Sequence, residues 1–267
     1  MCIYLIPMHG LCNRLSWICG FYSYNLANSD KCRNKECICY IKWIPGRACN
    51  GNFLEIFNIL PKTKFVMNDS EVPKGIKRFA GQHSIPNVYS KILKLNIITP
   101  EMECRIFGFL NFNDKILKIA KEFIEKKFNK NNTIGLHVRR TDHIGLAKNK
   151  GNYTNDDYFF KIINGQISKD STVLFYLSTD NRNTQELYLK KYPRNIIIYK
   201  KINKLKNSFR HTTLFDTGID MCLLTYCNYI EGSFHSSFSR VAVMLNLFRR
   251  KESKKAEYEL NKYVYHK

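Results

Sequence analysis

The chain has 267 residues, 44% of them hydrophobic, so it can form one large domain or two smaller ones around a sizeable buried core. This composition excludes an intrinsically disordered protein, and no stretch approaches the roughly 20 consecutive apolar residues of a membrane-spanning helix. The formal net charge is +21, from 43 Lys and Arg against 22 Asp and Glu, which favours an acidic partner such as a nucleic acid, an anionic lipid or a phosphorylated substrate. Much of the excess is scattered lysine, however, which a coding bias also explains.

The amino terminus has no features of a secretion signal, because the apolar run CIYLI follows Met1 with no basic segment before it and no cleavage site after it. We therefore expect a cytoplasmic protein. Ten cysteines would suggest disulfides in a small secreted chain, but this chain is neither small nor visibly secreted. The cluster of Cys32, Cys37, Cys39 and Cys49 contains no C-x-x-C pair, so reduced, mostly buried thiols are favoured over a zinc site.

The first half of the chain alternates between strand and helix patterns around an irregular middle. Strands are predicted at Cys2–Ile6, Cys37–Trp43, Lys64–Met67 and Arg105–Leu110. Helices are predicted from the turn at His9–Leu15 to about Asn28, at Phe53–Leu60 and at Asn113–Phe128. Loops are expected around Gly75 and Gly81. The polar stretch 129–132 is the candidate linker, so two domains, 1–130 and 131–250, are expected to meet near residue 130.

The second half is more regular. Strands are predicted at Thr133–Arg140, Val173–Ser178, Asn195–Tyr199 and Tyr229–Ile230. Helices are predicted from the cap Asn155 to Ile167, and at Asn183–Lys191, Thr213–Tyr226 and Phe238–Arg250. Strands that alternate with helices indicate an α/β fold with a parallel, doubly wound sheet. The basic tail 251–267 fits either a solvated helix face or adhesion to an anionic membrane surface.

Polar side chains follow three strands of the second half. The sets are His137, Arg139, Arg140 and Asp142 after the first, Asp180 and Asn181 after the second, and Ser233 with His235–Ser239 after a third. Ligands of open α/β sheets bind outside the carboxyl ends of the strands, so these side chains are expected to share one crevice. Each set also has an ordinary structural explanation, as a salt bridge, a turn or a helix cap.

These residue types suit a nucleoside diphosphate. Adjacent arginines give bidentate, charge-assisted hydrogen bonds to phosphate oxygens. A carboxylate at a strand tip can accept hydrogen bonds from a ribose or a guanine edge, and a Ser-rich turn that opens a helix offers hydroxyl and N–H groups. The turn HGLCNRL after the first strand offers backbone N–H groups to an anion in the same way, although Gly10 could simply form a tight turn.

Three segments together resemble the successive motifs of the GDP-fucose-dependent fucosyltransferase superfamily, which includes the α1,6- and α1,2-fucosyltransferases and the protein O-fucosyltransferases. They are HVRRTD, the strand FYLSTDN, and the segment DMCLLTYCNYIEGSFHSSFSRVA from Asp220 to Ala242. GLCNRL near the amino terminus is similar to that superfamily's Gly-x-x-Asn-Arg-Leu turn. The resemblance covers most of residues 130–245 and a short piece at 9–15.

The resemblance implies a GT-B architecture, in which two Rossmann-like domains face each other and the carboxyl-terminal one holds GDP-fucose. By motif, His137, Asp180 and Asn181 would contact the guanosine end, and Arg139 and Arg140 the diphosphate, with Ser236 and Ser237 opposite. The remaining donor-binding candidates are Gly10, Asn13, Arg14, Phe238 and Ser239. A glycan acceptor would meet the amino-terminal domain.

The resemblance also implies inversion of the anomeric carbon and no metal, and the sequence agrees with the second property, since it lacks a D-x-D carboxylate pair. The catalytic hypothesis is that Arg139 stabilises negative charge growing on the β-phosphate as the acceptor hydroxyl attacks. In α1,6-type enzymes an acidic residue soon follows HVRRTD, but here the segment HIGLAKNKGN contains no carboxylate. Asp142 and His143 are therefore the candidates for a general base, unless none is needed.

Alternative functions differ in testable ways. The same architecture could use another nucleotide sugar, which selective protection by GDP would exclude, or a catalytically inactive relative could merely bind glycans. A basic nucleic-acid-binding protein is motivated by the charge. It is not favoured, because the sequence contains no zinc-finger, RRM or helix-turn-helix pattern and the motif arginines lie at strand ends. HVRRTD also mimics a kinase catalytic loop, but no glycine-rich loop or D-F-G accompanies it.

Overall fold

The computed structural model describes residues 2–28, 37–96, 98–128, 132–141, 145, 153–202, 212–252 and 255. It divides into two compact units, Met1–Asn113 and Asp114–Lys267. The division falls before the helix Asp114–Lys127 instead of after it, where the polar stretch 129–132 suggested a linker. The physical reason is that this helix packs against the helix Leu214–Thr225 of the second unit.

The first unit is built on a parallel four-stranded sheet in the order β3-β2-β1-β4. In chain order its elements are β1 (Ile3–Pro7), α1 (Leu11–Ala27), β2 (Cys39–Ile41), β3 (Thr63–Phe65), β4 (Lys77–Gly81), α2 (Ile85–Asn87, continued by a π-helical turn at Val88–Ile92) and α3 (Pro100–Phe107). Every residue of β1 is buried, because α1 packs against this central strand. This unit therefore has a Rossmann-like half-sheet whose first strand is internal.

Three predictions for this unit are wrong. The strand predicted at Arg105–Leu110 is instead the end of α3 and the turn that follows it. The Thr99 side chain caps this helix by accepting a hydrogen bond from the Met102 N–H. Its apolar residues lie at helical spacing, with Cys104 and Phe107 fully buried. The helix predicted at Phe53–Leu60 is limited to one 3₁₀ turn, Phe53–Glu55. Gly81 ends the edge strand β4 and does not lie in a loop; KRFAG is half exposed, so it lacks the apolar alternation of a buried strand.

The second unit also has a parallel four-stranded sheet, in the order β7-β6-β5-β8. Its topology is that of the first unit, with β5 in the place of β1. Its elements are α4 (Asp114–Lys127), β5 (Thr133–Val138), α5 (Asp156–Ile167), β6 (Leu174–Thr179), α6 (Arg182–Lys191), β7 (Ile196–Ile197), α7 (Leu214–Thr225), β8 (Ile230–Gly232) and α8 (Ser237–Arg249). Each predicted element of this half is found, with ends shifted by a few residues. The predicted α/β fold class is confirmed.

The cysteines in the described part of the chain are mostly buried thiols, as expected. Eight are free, and burial raises the pKa of Cys19 and Cys39 well above the ordinary value. Cys37 is instead disulfide-bonded, so the expectation of a reduced thiol is wrong for that residue. Within the same described ranges, no helix has the length and apolar character needed to cross a membrane. Almost all of the tail 251–267 lies outside the described residues.

Candidate functional site

The strand order of the second unit reverses direction at β5, and we refer to the region outside the carboxyl ends of β5 and β8 as the crevice. The chain runs outward from β5 to β6 and β7, and then returns to place β8 on the other side of β5. Such a reversal of direction is where ligands bind in open α/β sheets. Gly232 pairs in register with His137, so the segments HVRR and GSFHSSFSR leave the sheet side by side.

His137 forms one wall of the crevice and links β5 to α8. Its side chain is buried, its ring stacks on Phe238 with centroids 4.5 Å apart, and its Nδ1 lies 2.7 Å from the Ser239 Oγ. Ser239 is fully buried. The structure thus brings together three residues that the sequence assigns to donor binding, and they contact one another.

Arg139 is held from both neighbouring strands. Its backbone N–H donates to the Ser233 Oγ at 2.9 Å, after β8, and its Nη1 lies 2.9 Å from the Asp180 Oδ2, after β6. The Arg139 side chain is only 12% exposed. Burial acts to raise the pKa of Asp180, but the Arg139 guanidinium and the hydrogen bonds from Thr141 and the Arg140 N–H outweigh it, so the pKa is lowered and Asp180 stays ionised.

Arg140, the second arginine of the motif, points into the protein. Its Nη1 donates to the Thr154 carbonyl at 2.9 Å and its Nη2 to the Asp156 Oδ1 at 2.7 Å. The Tyr188 hydroxyl also donates to Asp156, at 3.0 Å. Both terminal nitrogens of Arg140 are therefore bonded to the segment that begins α5. The sequence alone did not distinguish this structural role from phosphate binding.

Two of the predicted binding residues act as helix caps. The Asn181 side chain accepts from the Thr184 N–H at 3.0 Å and caps α6, and the Ser236 side chain accepts from the Ser239 N–H at 3.4 Å and caps α8. Ser237 is exposed in the first turn of α8, which contains no acidic residue. The positive end of that helix is therefore suited to an anion in the crevice.

A cavity of about 200 Å³ lies beside β6, one strand away from the crevice. Its lining includes Leu177, Thr179, Gln185, Tyr199, Lys200 and Asp220. The half-buried Asp220 carboxylate accepts hydrogen bonds from the Tyr176 hydroxyl and, at 3.4 Å, from Ser178, the register partner of His137. Burial raises the pKa of Asp220 to about 7, although both hydrogen bonds act to lower it. The sequence placed Asp220 at the start of a motif but gave it no role.

The first unit has an equivalent reversal between β1 and β4, where Gly10, Asn13 and Arg14 lie. Gly10 precedes α1 without a side-chain cap, and the Asn13 Nδ2 donates to the Gln82 Oε1 at 3.0 Å. Arg14 is buried, and it donates from Nε to the His9 carbonyl and from Nη1 to the Ile44 carbonyl, both at 2.7 Å. Arg14 thus ties the loops after β1 and β2 together, and its burial lowers its pKa.

Two candidate residues lie outside the described part of the chain. They are Asp142 and His143, so their proposed role as a general base stays a prediction. Among the residues that the structure does describe, no three His, Cys, Asp or Glu side chains are grouped to hold a metal ion.

Comparison with solved structures shows which proteins share this fold. The crystal structure of NodZ α-1,6-fucosyltransferase soaked with GDP-fucose is similar over 92% of this chain and 93% of that chain, with a TM-score of 0.58 and 14% identity. Fucosyltransferase NodZ from Bradyrhizobium matches over 91% and 93% with a TM-score of 0.58 and 13% identity. POFUT1 in complex with GDP matches over 92% and 94% with a TM-score of 0.58 and 10% identity.

No protein-family model and no curated protein sequence matches this chain. At 10–14% identity the likeness shows the fold alone, and the chain shares this fold with NodZ α-1,6-fucosyltransferase and POFUT1, in agreement with the fold that the sequence resemblance implied. The two parallel sheets over the full length of the match are consistent with a GT-B type of architecture.

Proposed function

We propose that this chain is an inverting, metal-independent glycosyltransferase that moves L-fucose from GDP-fucose to a hydroxyl group of a glycan. The observation that supports this most directly is the position of Arg139. Arg139 is held from two sides and follows β5 at the strand reversal, where α8 also begins with no acidic residue in its first turn. The fold is shared with proteins solved with GDP or GDP-fucose.

The donor is proposed to span the crevice and the adjacent cavity. Arg139 and the first turn of α8, with the exposed Ser237, bind the diphosphate through charge-assisted hydrogen bonds. The guanine enters the cavity beside β6, where the Asp220 carboxylate accepts hydrogen bonds from the N1–H and N2–H groups of its edge. This gives to Asp220 the contact that the sequence pattern gave to Asp180, because the Asp180 oxygens already accept bonds from residues 139–141.

The proposed chemistry places charge where Arg139 lies. The acceptor hydroxyl attacks the anomeric carbon of fucose, the bond to the β-phosphate oxygen breaks, and GDP leaves with additional negative charge. A pre-oriented guanidinium stabilises that charge more in the transition state than in the ground state. Asp142 and His143 remain the candidates to accept the acceptor proton, and the amino-terminal unit is proposed to bind the glycan.

Thermal unfolding with nucleotides tests the donor directly. GDP, GDP-fucose, GDP-mannose, UDP and UDP-glucose are each added with and without EDTA, and a ligand at 100 times its Kd stabilises the fold by about 2.7 kcal/mol, which is a shift of a few degrees. We expect GDP and GDP-fucose to raise the Tm, EDTA to change nothing, and Arg139→Ala to reduce the shift at the same nucleotide concentration.

The other outcomes are equally informative. A shift with uridine nucleotides alone would contradict fucosyl transfer and leave the fold assignment in place. A shift that EDTA removes would contradict metal independence. No shift with any nucleotide would overturn the proposed function. Arg182→Ala is the matched control, because Arg182 is an exposed arginine of the same unit that pairs with the exposed Glu186.

A further inference from the structure

Asp180 is almost completely engaged with one short turn. Its Oδ1 accepts the Arg140 N–H at 2.8 Å, and its Oδ2 accepts the Thr141 hydroxyl at 2.6 Å and the Thr141 N–H at 3.4 Å. The same Oδ2 lies 2.9 Å from the Arg139 Nη1. Three of these four donors reach Oδ2 and one reaches Oδ1, so both oxygens of the carboxylate are engaged. All four donors come from residues 139–141.

The strand that bears Asp180 is tied to the same turn by a further bond. The Thr179 hydroxyl donates to the Val138 carbonyl at 2.7 Å, so β6 fixes the backbone of β5 directly before Arg139. Asp180 itself is 6% exposed, and its lowered pKa keeps it negatively charged. A buried, ionised carboxylate with this geometry restrains both the backbone and the side chain of Arg139.

We propose that Asp180 is a positioning residue, which holds the Arg139 guanidinium and the turn 139–141 in the orientation that binds the diphosphate of the donor. This inference rests on the proposed function. The ion pair at the Arg139 Nη1, together with the bonds from Asp180 to the N–H groups of Arg140 and Thr141, restrains where the guanidinium lies. Preorganisation of this kind is what makes a guanidinium effective in a transition state.

The test is a double-mutant cycle with GDP affinity as the readout, measured by calorimetry. The proteins are the wild type, Asp180→Asn, Arg139→Ala and the double variant. Asp157→Asn is the matched control, because Asp157 is an exposed carboxylate in the first turn of α5. We expect Asp180→Asn to weaken GDP binding roughly 10-fold to 100-fold, and Asp157→Asn to leave it unchanged.

The decisive comparison is the effect of Asp180→Asn in the Arg139→Ala background. If Asp180 acts through Arg139, the double variant binds GDP no more weakly than Arg139→Ala alone. A merely structural role would lower the Tm of Asp180→Asn and leave the GDP affinity of its folded protein unchanged, which would overturn the proposal. Additive losses in the double variant would overturn it as well.

Failure of this inference is distinguishable from failure of the proposed function. A wild-type protein that binds no GDP would overturn both, whereas wild-type binding together with normal binding by Asp180→Asn overturns only the positioning role. If Asp180→Asn does not fold, Thr141→Val replaces it, because this change removes one donor to the same Oδ2 atom. We then expect GDP binding that is weaker by about 3-fold to 10-fold, and unchanged affinity would contradict the proposal.

Discussion

The two arginines that follow β5 are neighbours in sequence but not in environment. Arg139 lies in the crevice between the ends of β6 and β8, whereas Arg140 is directed towards the start of α5. Nothing in the string HVRR separates them, since both are the same residue type after a buried strand. Their separation depends on Asp180 and Asp156, which meet them only in the folded chain.

Conservative substitution should therefore have different effects at the two positions. Arg139→Lys replaces a planar guanidinium by a point charge, so we expect turnover to fall by about 10²-fold to 10³-fold. We expect the loss of stability to be smaller than that of Arg140→Lys. Arg140→Lys cannot reach both the Thr154 carbonyl and Asp156, so we expect it to destabilise the fold by about 1–3 kcal/mol and to keep its GDP affinity. Release of GDP from GDP-fucose measures the turnover, urea unfolding measures the stability, and calorimetry measures the GDP affinity.

The exposed Arg182→Lys is the control for this pair and should be silent in both measurements. If Arg140→Lys instead loses GDP affinity at unchanged stability, Arg140 contacts the diphosphate, as the motif predicted, and its contacts with α5 are secondary.

Asp220 should make the stability of the ligand-free protein depend on pH. The pKa of Asp220 is raised from 3.8 to about 7 in the folded state, so folding favours the protonated carboxyl group. The free energy of unfolding is therefore highest below pH 3.8, where the group is protonated in both states, and it falls as the pH rises through 7. Asp220→Asn cannot ionise and keeps an oxygen that accepts from Tyr176. We therefore expect the Tm of the wild type to fall relative to that of Asp220→Asn between pH 4 and pH 7.

The measurement is a series of thermal unfolding curves at constant ionic strength, with Asp157→Asn as the control that should follow the wild type. A constant difference in Tm between wild type and Asp220→Asn across this range would show that Asp220 does not titrate there, and that the cavity beside β6 is better solvated than its burial indicates.

At the scale of elements, β5 depends on a glycine. A Cβ on Gly135 would lie 2.8 Å from the Leu224 Cδ2, 3.2 Å from the Ile230 Cγ1 and 3.3 Å from the Cys227 Sγ. These neighbours are buried and belong to α7, β8 and the turn between them, so they have little room to move. The close approach of α7 to β5 thus requires a residue without a side chain.

Gly135→Ala should destabilise the fold by about 1–3 kcal/mol, because the added methyl group overpacks this contact. Gly165 offers a matched control in α5, where a Cβ would meet nothing within 4 Å. Gly165→Ala should stabilise by about 0.5–1 kcal/mol through helix propensity. Urea unfolding of the two variants measures both signs, and a neutral Gly135→Ala would show that α7 can shift away from the sheet.

The elements of the second unit were predictable because their patterns are local. Asn155 and Thr213 each cap the helix that follows, and β5 and β6 are continuous apolar runs. The failures have a physical reason too. The segment at Arg105 is short and apolar, and only its cap at Thr99, together with burial, distinguishes a helix from a strand.

Within the site, residue types were easier to predict than partners. The sequence selected His137, Phe238 and Ser239, which do come together, because His137 lies near the carboxyl end of β5 and the other two lie in the helix that follows the neighbouring strand β8. It could not show that the Asp180 carboxylate accepts hydrogen bonds from residues 139–141, or that Asp220 lines a cavity. Both facts depend on contacts between residues about 40 positions apart.

At the scale of the whole molecule, the two units repeat one topology. In each sheet the first strand is internal, the next two extend to one side and the fourth returns to the other side. The motif segments follow this arrangement, since GLCNRL leaves β1 and HVRR leaves β5, each at a strand reversal. No repeat is visible in the sequence, so the likeness of the two units lies in topology alone.

The charge of +21 belongs to the whole molecule and not to the site. Scattered surface lysines attract any polyanion, and this attraction weakens steeply with salt because it depends on counterion release. A nucleotide in the crevice is bound by a few groups such as the largely buried Arg139, for which screening is weaker. The affinities for a polyanion and for a nucleotide should therefore depend differently on the salt concentration.

We expect binding of a 20-base-pair DNA duplex to weaken by about 10³-fold between 50 and 200 mM salt, as for a protein that contacts six or more phosphates, and GDP binding to weaken by less than about 10-fold. Arg139→Ala should weaken GDP binding and leave the weak DNA binding unchanged, because it removes only one of 43 basic side chains. Fluorescence anisotropy for the duplex and calorimetry for GDP measure the two affinities. Tight DNA binding that persists at 200 mM salt and depends on Arg139 would mean that the crevice holds a nucleic-acid backbone, and the basic charge of the chain would then be part of the site.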